Sequence, residues 1–218
     1  MGSGTSLNFV GFVISLTAVA LLPLIVITMT GFLKISVVMF LVRNALGVQQ
    51  TPPNIVLYSI ALVLTVCISA PLVNEIYGRL TTHTIDLYSV EGLSSAAQLV
   101  KEPVQANLMR FTQPKQRQFF LSAMNRVWPE NLRSTLSENH IAVLLPAFVS
   151  SELTWAFEIG FLLYLPFLTI DLVVSNILIA MGMIFVSPTL MSVPLKILLF
   201  VAVDGWTRLL QGLILSYS

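Results

Sequence analysis

No ionisable side chain precedes Lys34. The apolar run that opens the chain, residues 7–42, is about twice the ~20 residues a spanning helix needs. A second run, 54–74, is one span long, and a third, 141–210, is long enough for about three spans or for two kinked hairpins. Between them the segment 75–140 holds 13 of the 21 charged residues and leaves eight for the other 152. Overall 10% of residues are charged, against about 25% in an average soluble domain. Apolar surface on this scale must be covered by lipid or by other subunits, and in lipid every backbone polar group must be satisfied within the segment. The pattern therefore predicts an all-α, integral membrane-type protein of long kinked helices and helical hairpins with a small helical external region. Its expected segments are N-terminal hydrophobic helices with a short turn over 1–76, a polar helical region over 77–140 and C-terminal kinked hairpins over 141–218.

Punctuation refines this. The first run reads as one long tilted helix or as a helix bent at Pro23. The stretch RNALGVQQTPPN has the Gly, Asn and Pro-Pro content of a turn. Lys34 and Arg43 flank that turn, which carries no acid. The positive-inside rule then puts it in the cytoplasm, with the N-terminus and the polar middle outside. The first residues lack a basic leader before an apolar run too long for a signal peptide, so the run is expected to be a retained span. In the middle, QRQFFLSAMNRVW places Phe119, Phe120, Ala123 and Val127 at helical spacing, and Pro103, Pro114 and Pro129 are expected to separate the pieces.

Several function classes are excluded. A net charge of +1 argues against nucleic acid as a partner. Cys67 is the only cysteine, and His83 and His140 have no metal-ligand spacing around them. Phosphate-loop, zinc-protease and serine-hydrolase motifs are absent. The sequence predicts no cofactor, no metal and no enzymatic activity.

Ionisable groups do interrupt the third run: Glu152, Glu158, Asp171, Lys196, Asp204 and Arg208. A charge facing lipid near the bilayer centre costs roughly 2.5–3.5 kcal/mol or more, so these groups face partners, water or headgroups. Asp204 and Arg208, spaced i, i+4, are expected to pair on one helix. Lys196 has no acid one turn away, which motivates a pairing with Glu152 across a subunit boundary; snorkelling to headgroups is the simpler alternative. The unpaired excess of carboxylates is easier to resolve in an oligomer. Pro23, Pro166, Pro188 and Pro194 mark expected helix breaks, since each removes a backbone hydrogen bond and crowds the preceding turn.

Within the same run, ILIAMGMIFVSP sets Met181 and Met183 around Gly182, followed by Ile184, Phe185 and then Pro188. Methionine is unbranched and polarizable and fills irregular gaps. Glycine permits a bend. The pattern suits a short loop of soft side chains, although on pattern alone ordinary core filling is the better account of two methionines.

Four stretches carry a more specific signal: LPLIVITMTGFLKISVVMFLVRNALGVQQTPPN, PAFVSSELTWAFEIGF, LPFLTIDLVVSNILIAMGMIFVSPT and PLKILLFVAVDGWTRLL. Together they resemble the FliP/SctR family, the core export-gate membrane proteins of flagellar and virulence type III secretion systems. The resemblance covers nearly the whole chain, more loosely in the middle, and the missing leader fits the virulence branch. It implies a homopentamer in the bacterial inner membrane, projecting to the periplasmic side and joined by a smaller and a larger membrane subunit. Such an assembly encloses the channel for secreted unfolded polypeptides. The resemblance makes Met181, Gly182, Met183, Ile184 and Phe185 the pore gasket and ties Glu152 and Lys196 to intersubunit contacts. Two other readings remain open at this point: a small-molecule or ion transporter, which needs charges converging on broken helices, and an assembly scaffold without a lumen.

Overall fold

An apolar sequence with few charges has one economical way to satisfy its backbone, and helices carry nearly all of the described chain. The structure, a computed structural model, describes residues 27–48, 50–82 and 90–218, together with Val13, Leu16, Thr17, Ala20 and Leu21. Pro23 and His83 lie outside the described residues. The helices are α1 (Phe32–Ala45), α2 (Asn54–Thr81), α3 (Val90–Arg110), α4 (Pro114–Val127), α5 (Glu130–Arg133), α6 (Ile141–Ala180), α7 (Pro188–Ala202) and α8 (Gly205–Leu215), and no strand occurs among the described residues. Among the described residues two helices, α2 and α6, are long and apolar enough to cross a membrane, and α7 with α8 makes a third if that bent pair is one span.

Contacts divide the chain into two compact units. One combines Val66–Glu152 with the described residues up to Gly31; the other combines Phe32–Thr65 with Leu153–Ser218. The helices α2 and α6 each contribute to both.

The first unit holds the polar middle. Its core is Leu108, Leu144 and Phe148, with Met29, Val104, Met109, Phe111 and Val149 packed around them. Polar bonds tie α4 to the start of α6: the Gln113 amide donates to Ser151 Oγ at 3.0 Å and the Ser150 hydroxyl donates to Gln116 Oε1 at 3.2 Å. Arg79 pairs with Glu75 at 2.9 Å and with Glu102 at 2.6 Å. Both acids are largely exposed, so these pairs contribute little to stability. The expected helix at QRQFF is α4, with Pro114 in its first turn, where the missing N–H is harmless. Pro103 does not separate two pieces: it lies inside α3.

The second unit is built on α1. Ile35, Val38, Met39 and Val42 are buried at i, i+3, i+4, i+7 spacing, one face of the helix. Phe32 and Phe40 both pack on Tyr58 of α2, with ring centroids at 6.2 and 5.2 Å. The intervening turn forms where its composition placed it. Arg43 fastens the turn by donating to the Pro52 carbonyl at 3.3 Å and to Asn54 Oδ1. Away from these contacts α2 and α6 present Ile55, Val63, Phe157, Phe161 and Ile177 outward, as lipid or subunit contact requires.

Two expectations about helix breaks are revised. Pro166, like Pro146, lies inside the continuous forty-residue α6, and Pro194 lies inside α7. One proline removes a single hydrogen bond, and in apolar surroundings the groups it frees have no water to turn to, so the helix continues. Pro188 behaves as expected and opens α7, after Ser187 in extended conformation. The sharpest break comes without proline: α7 and α8 meet at 62° around Asp204, which has φ +53°.

Candidate gating hairpin

α6 ends at Ala180, and Gly182 shows why. Its φ is +73°, a left-handed conformation that glycine adopts without strain. The Gly182 amide bonds the Ile179 carbonyl at 3.0 Å and the Met183 amide bonds the Leu178 carbonyl at 2.9 Å. These two bonds form a Schellman cap, satisfying carbonyls that the last helical turn would leave open. The chain then passes through 183–187 and re-enters helix at Pro188. The expected loop is therefore a hairpin tip between α6 and α7.

The tip turns its side chains outward. Met181 is 66% exposed, Met183 38% and Ile184 75%, while Phe185 is fully exposed. Among the described residues, none comes within 4 Å of where a Cβ on Gly182 would stand. Among the described residues the two methionines do not fill a core.

The root of the same hairpin is polar and enclosed. Lys196 of α7 is 2% exposed. Its ammonium donates to Asp171 Oδ2 of α6 at 2.6 Å and to the Ala45 carbonyl at the end of α1 at 3.1 Å. Ser192, one turn before Lys196, donates to the other Asp171 oxygen. One carboxylate thus cross-links both legs of the hairpin, and the lysine adds the C-terminus of α1, where the helix dipole favours a cation.

This network corrects the charge count. Lys196 was expected to find its partner elsewhere in the chain or in another copy, with Glu152 of a neighbour as the candidate; within the chain Asp171 supplies a carboxylate. Glu152 is fully buried in α6. Asp204 and Arg208 do not form the expected side-chain pair: Asp204 stands outside α8 as its N-cap, and the contact between the two residues is the Arg208 amide on the Asp204 carbonyl at 3.1 Å. Side chains four apart meet only when both residues are helical. Glu158 is exposed on α6 and makes no ion pair among the described residues.

Sequence reasoning missed three features here. Ser192 and Asp171 became partners only through the hairpin, although Asp171 and Lys196 stand nearly equidistant from the centre of 181–187. The Asp-Gly dipeptide at 204–205 is itself a turn signal. Lys34, read as a cation flanking the turn, is 1% exposed inside α1, with its ammonium 3.5 Å from the Tyr217 ring centroid and 5.2 Å from that of Trp155. A cation over aromatic faces keeps part of its electrostatic stabilisation away from water.

Comparison with known proteins supplies the relatives. Residues 15–213 match the FliP family. The chain is 53% identical over 201 residues to a "probable translocation protein y4yL" of Sinorhizobium fredii, covering 92% of this chain and 90% of that one. It is 44% identical over 209 residues to "Yop proteins translocation protein R" of Yersinia pestis, covering 96% of each. It is 42% identical over 202 residues to "virulence protein YscR" of Salmonella typhimurium, covering 91% and 92%. With the family match running through both units and across the Gly182 hairpin, this chain is a member of the FliP family.

Proposed function

We propose that the chain is a non-enzymatic subunit of a virulence-type type III secretion export apparatus in the bacterial inner membrane. A homopentameric ring of this chain, joined by a smaller and a larger membrane subunit, encloses the path of unfolded polypeptides. The tips of the α6–α7 hairpins converge on its axis, and Met181, Met183, Ile184 and Phe185 close the idle channel. The observation that carries this reading is the exposed tip itself: an apolar loop on a capped, clamped hairpin is left uncovered among the described residues. Several such tips meeting would cover one another. Methionine re-packs around irregular shapes, and an apolar constriction also holds back ions by dewetting. The names of the relatives, which speak of translocation, support the same reading.

Helix length bears on the placement. At 1.5 Å per residue α6 is about 60 Å long, twice the ~30 Å hydrocarbon core. In this reading part of α6 and the polar region 77–140 project to the periplasmic side. Glu152 and Lys196 meet across the boundary between copies. An ammonium has three donors, and Asp171 and the Ala45 carbonyl take two of them. Electron microscopy of the complex purified from membranes tests the reading: copies arranged as a ring with 181–185 at its axis are expected. A solitary chain, or tips pointing into detergent, would overturn it.

A further inference from the structure

The bend between α7 and α8 opens a cleft of about 330 Å³ in the second unit. Val42, Pro166, Phe167, Phe200 and Val203 line it, and among the described residues Arg208 is the one charged residue on its wall. The cleft is held open by a specific packing. Phe200 stands between Phe167 and Trp206, with ring centroids at 6.3 and 5.3 Å. It also lies so close to Gly205 that a Cβ there would come within 2.4 Å of the ring. The volume lies within the ~300–1,000 Å³ range of ligand sites. Arg208 is exposed, and its guanidinium makes no hydrogen bond or ion pair among the described residues. Asp204, the nearest acid in sequence, is also exposed and does not reach it.

We infer that this cleft binds one acyl chain of an anionic phospholipid, with Arg208 holding the phosphate. An apolar slot takes hydrocarbon, and an unpaired guanidinium presents the planar donor fork that fits a phosphate bidentately. The two features occur together on helices of membrane composition, where this ligand is the surrounding solvent. The inference is independent of ring formation.

The test uses the full chain purified in detergent and incubated with phosphatidylglycerol or phosphatidylcholine, with retained lipids counted by native mass spectrometry. The wild type should retain one phosphatidylglycerol in preference to phosphatidylcholine by about fivefold, the factor one basic residue contributes near an anionic surface. Arg208→Gln, a substitution at an exposed position, should remove the preference and leave weak retention of both lipids. Leu199→Trp, which fills the cleft, should abolish retention of both. Equal retention of the two lipids by the wild type would overturn the site. So would a Leu199→Trp chain that still prefers phosphatidylglycerol, since the lipid would then sit on surface charge alone. Loss of the bound lipid in the assembled complex would assign the cleft to a neighbouring subunit instead.

Discussion

The root and the tip of the α6–α7 hairpin invert the usual order of a water-soluble domain. At the root a half-buried acid, a buried hydroxyl and a buried ammonium satisfy one another. At the tip, two methionines, an isoleucine and a phenylalanine stand exposed. The difference follows from what surrounds each end. A polar group away from water must find a partner in the protein, whereas an exposed apolar group only waits for a covering surface. The root therefore fixes the position of the hairpin legs, and the tip is left without a covering surface among the described residues.

The largest expected effect breaks this contrast at the root. Asp171→Ala leaves the Lys196 charge buried without its carboxylate and should destabilise the chain by about 3–5 kcal/mol, measured by thermal unfolding in detergent. Adding Lys196→Met should recover most of that loss, because the pair is replaced by apolar volume. A neutral Asp171→Ala would remove the clamp. Next, Gly205→Ala should lose about 1–3 kcal/mol by driving a methyl group into the Phe200 ring. Phe200→Leu should partly suppress it if that clash is the cause. A smaller effect sharpens the tip: Gly182→Ala meets no atom and suffers only from its positive φ, so a loss of about 1–2 kcal/mol is expected. The smallest belongs to the exposed side chains, where Met181→Ala with Met183→Ala should leave stability within about 0.5 kcal/mol.

The same contrast explains what was legible in the sequence. Glycine and proline act on their own neighbours, so Gly182 and Pro188 announced the hairpin tip and Pro114 announced α4. The polar root depends on residues 25 apart in sequence, Asp171 and Lys196, and no local pattern names such a partner. Prolines misled where tertiary surroundings overrode them: Pro103, Pro166 and Pro194 all lie within helices. Lys34 lies deeper than its charge suggested: Trp155 and Tyr217 hold it inside the fold. Asp204 and Arg208 had pairing distance in sequence, and the helix break between α7 and α8 removed it.

The central claim is that the exposed methionines close a channel rather than support a fold. The measurement that meets it most directly is the ion conductance of membranes or liposomes carrying the assembled complex in its idle state, wild type against Met181→Ala with Met183→Ala. The account predicts a leak in the double variant, with assembly and stability unchanged. An assembled double variant that stays as tight as the wild type would contradict it.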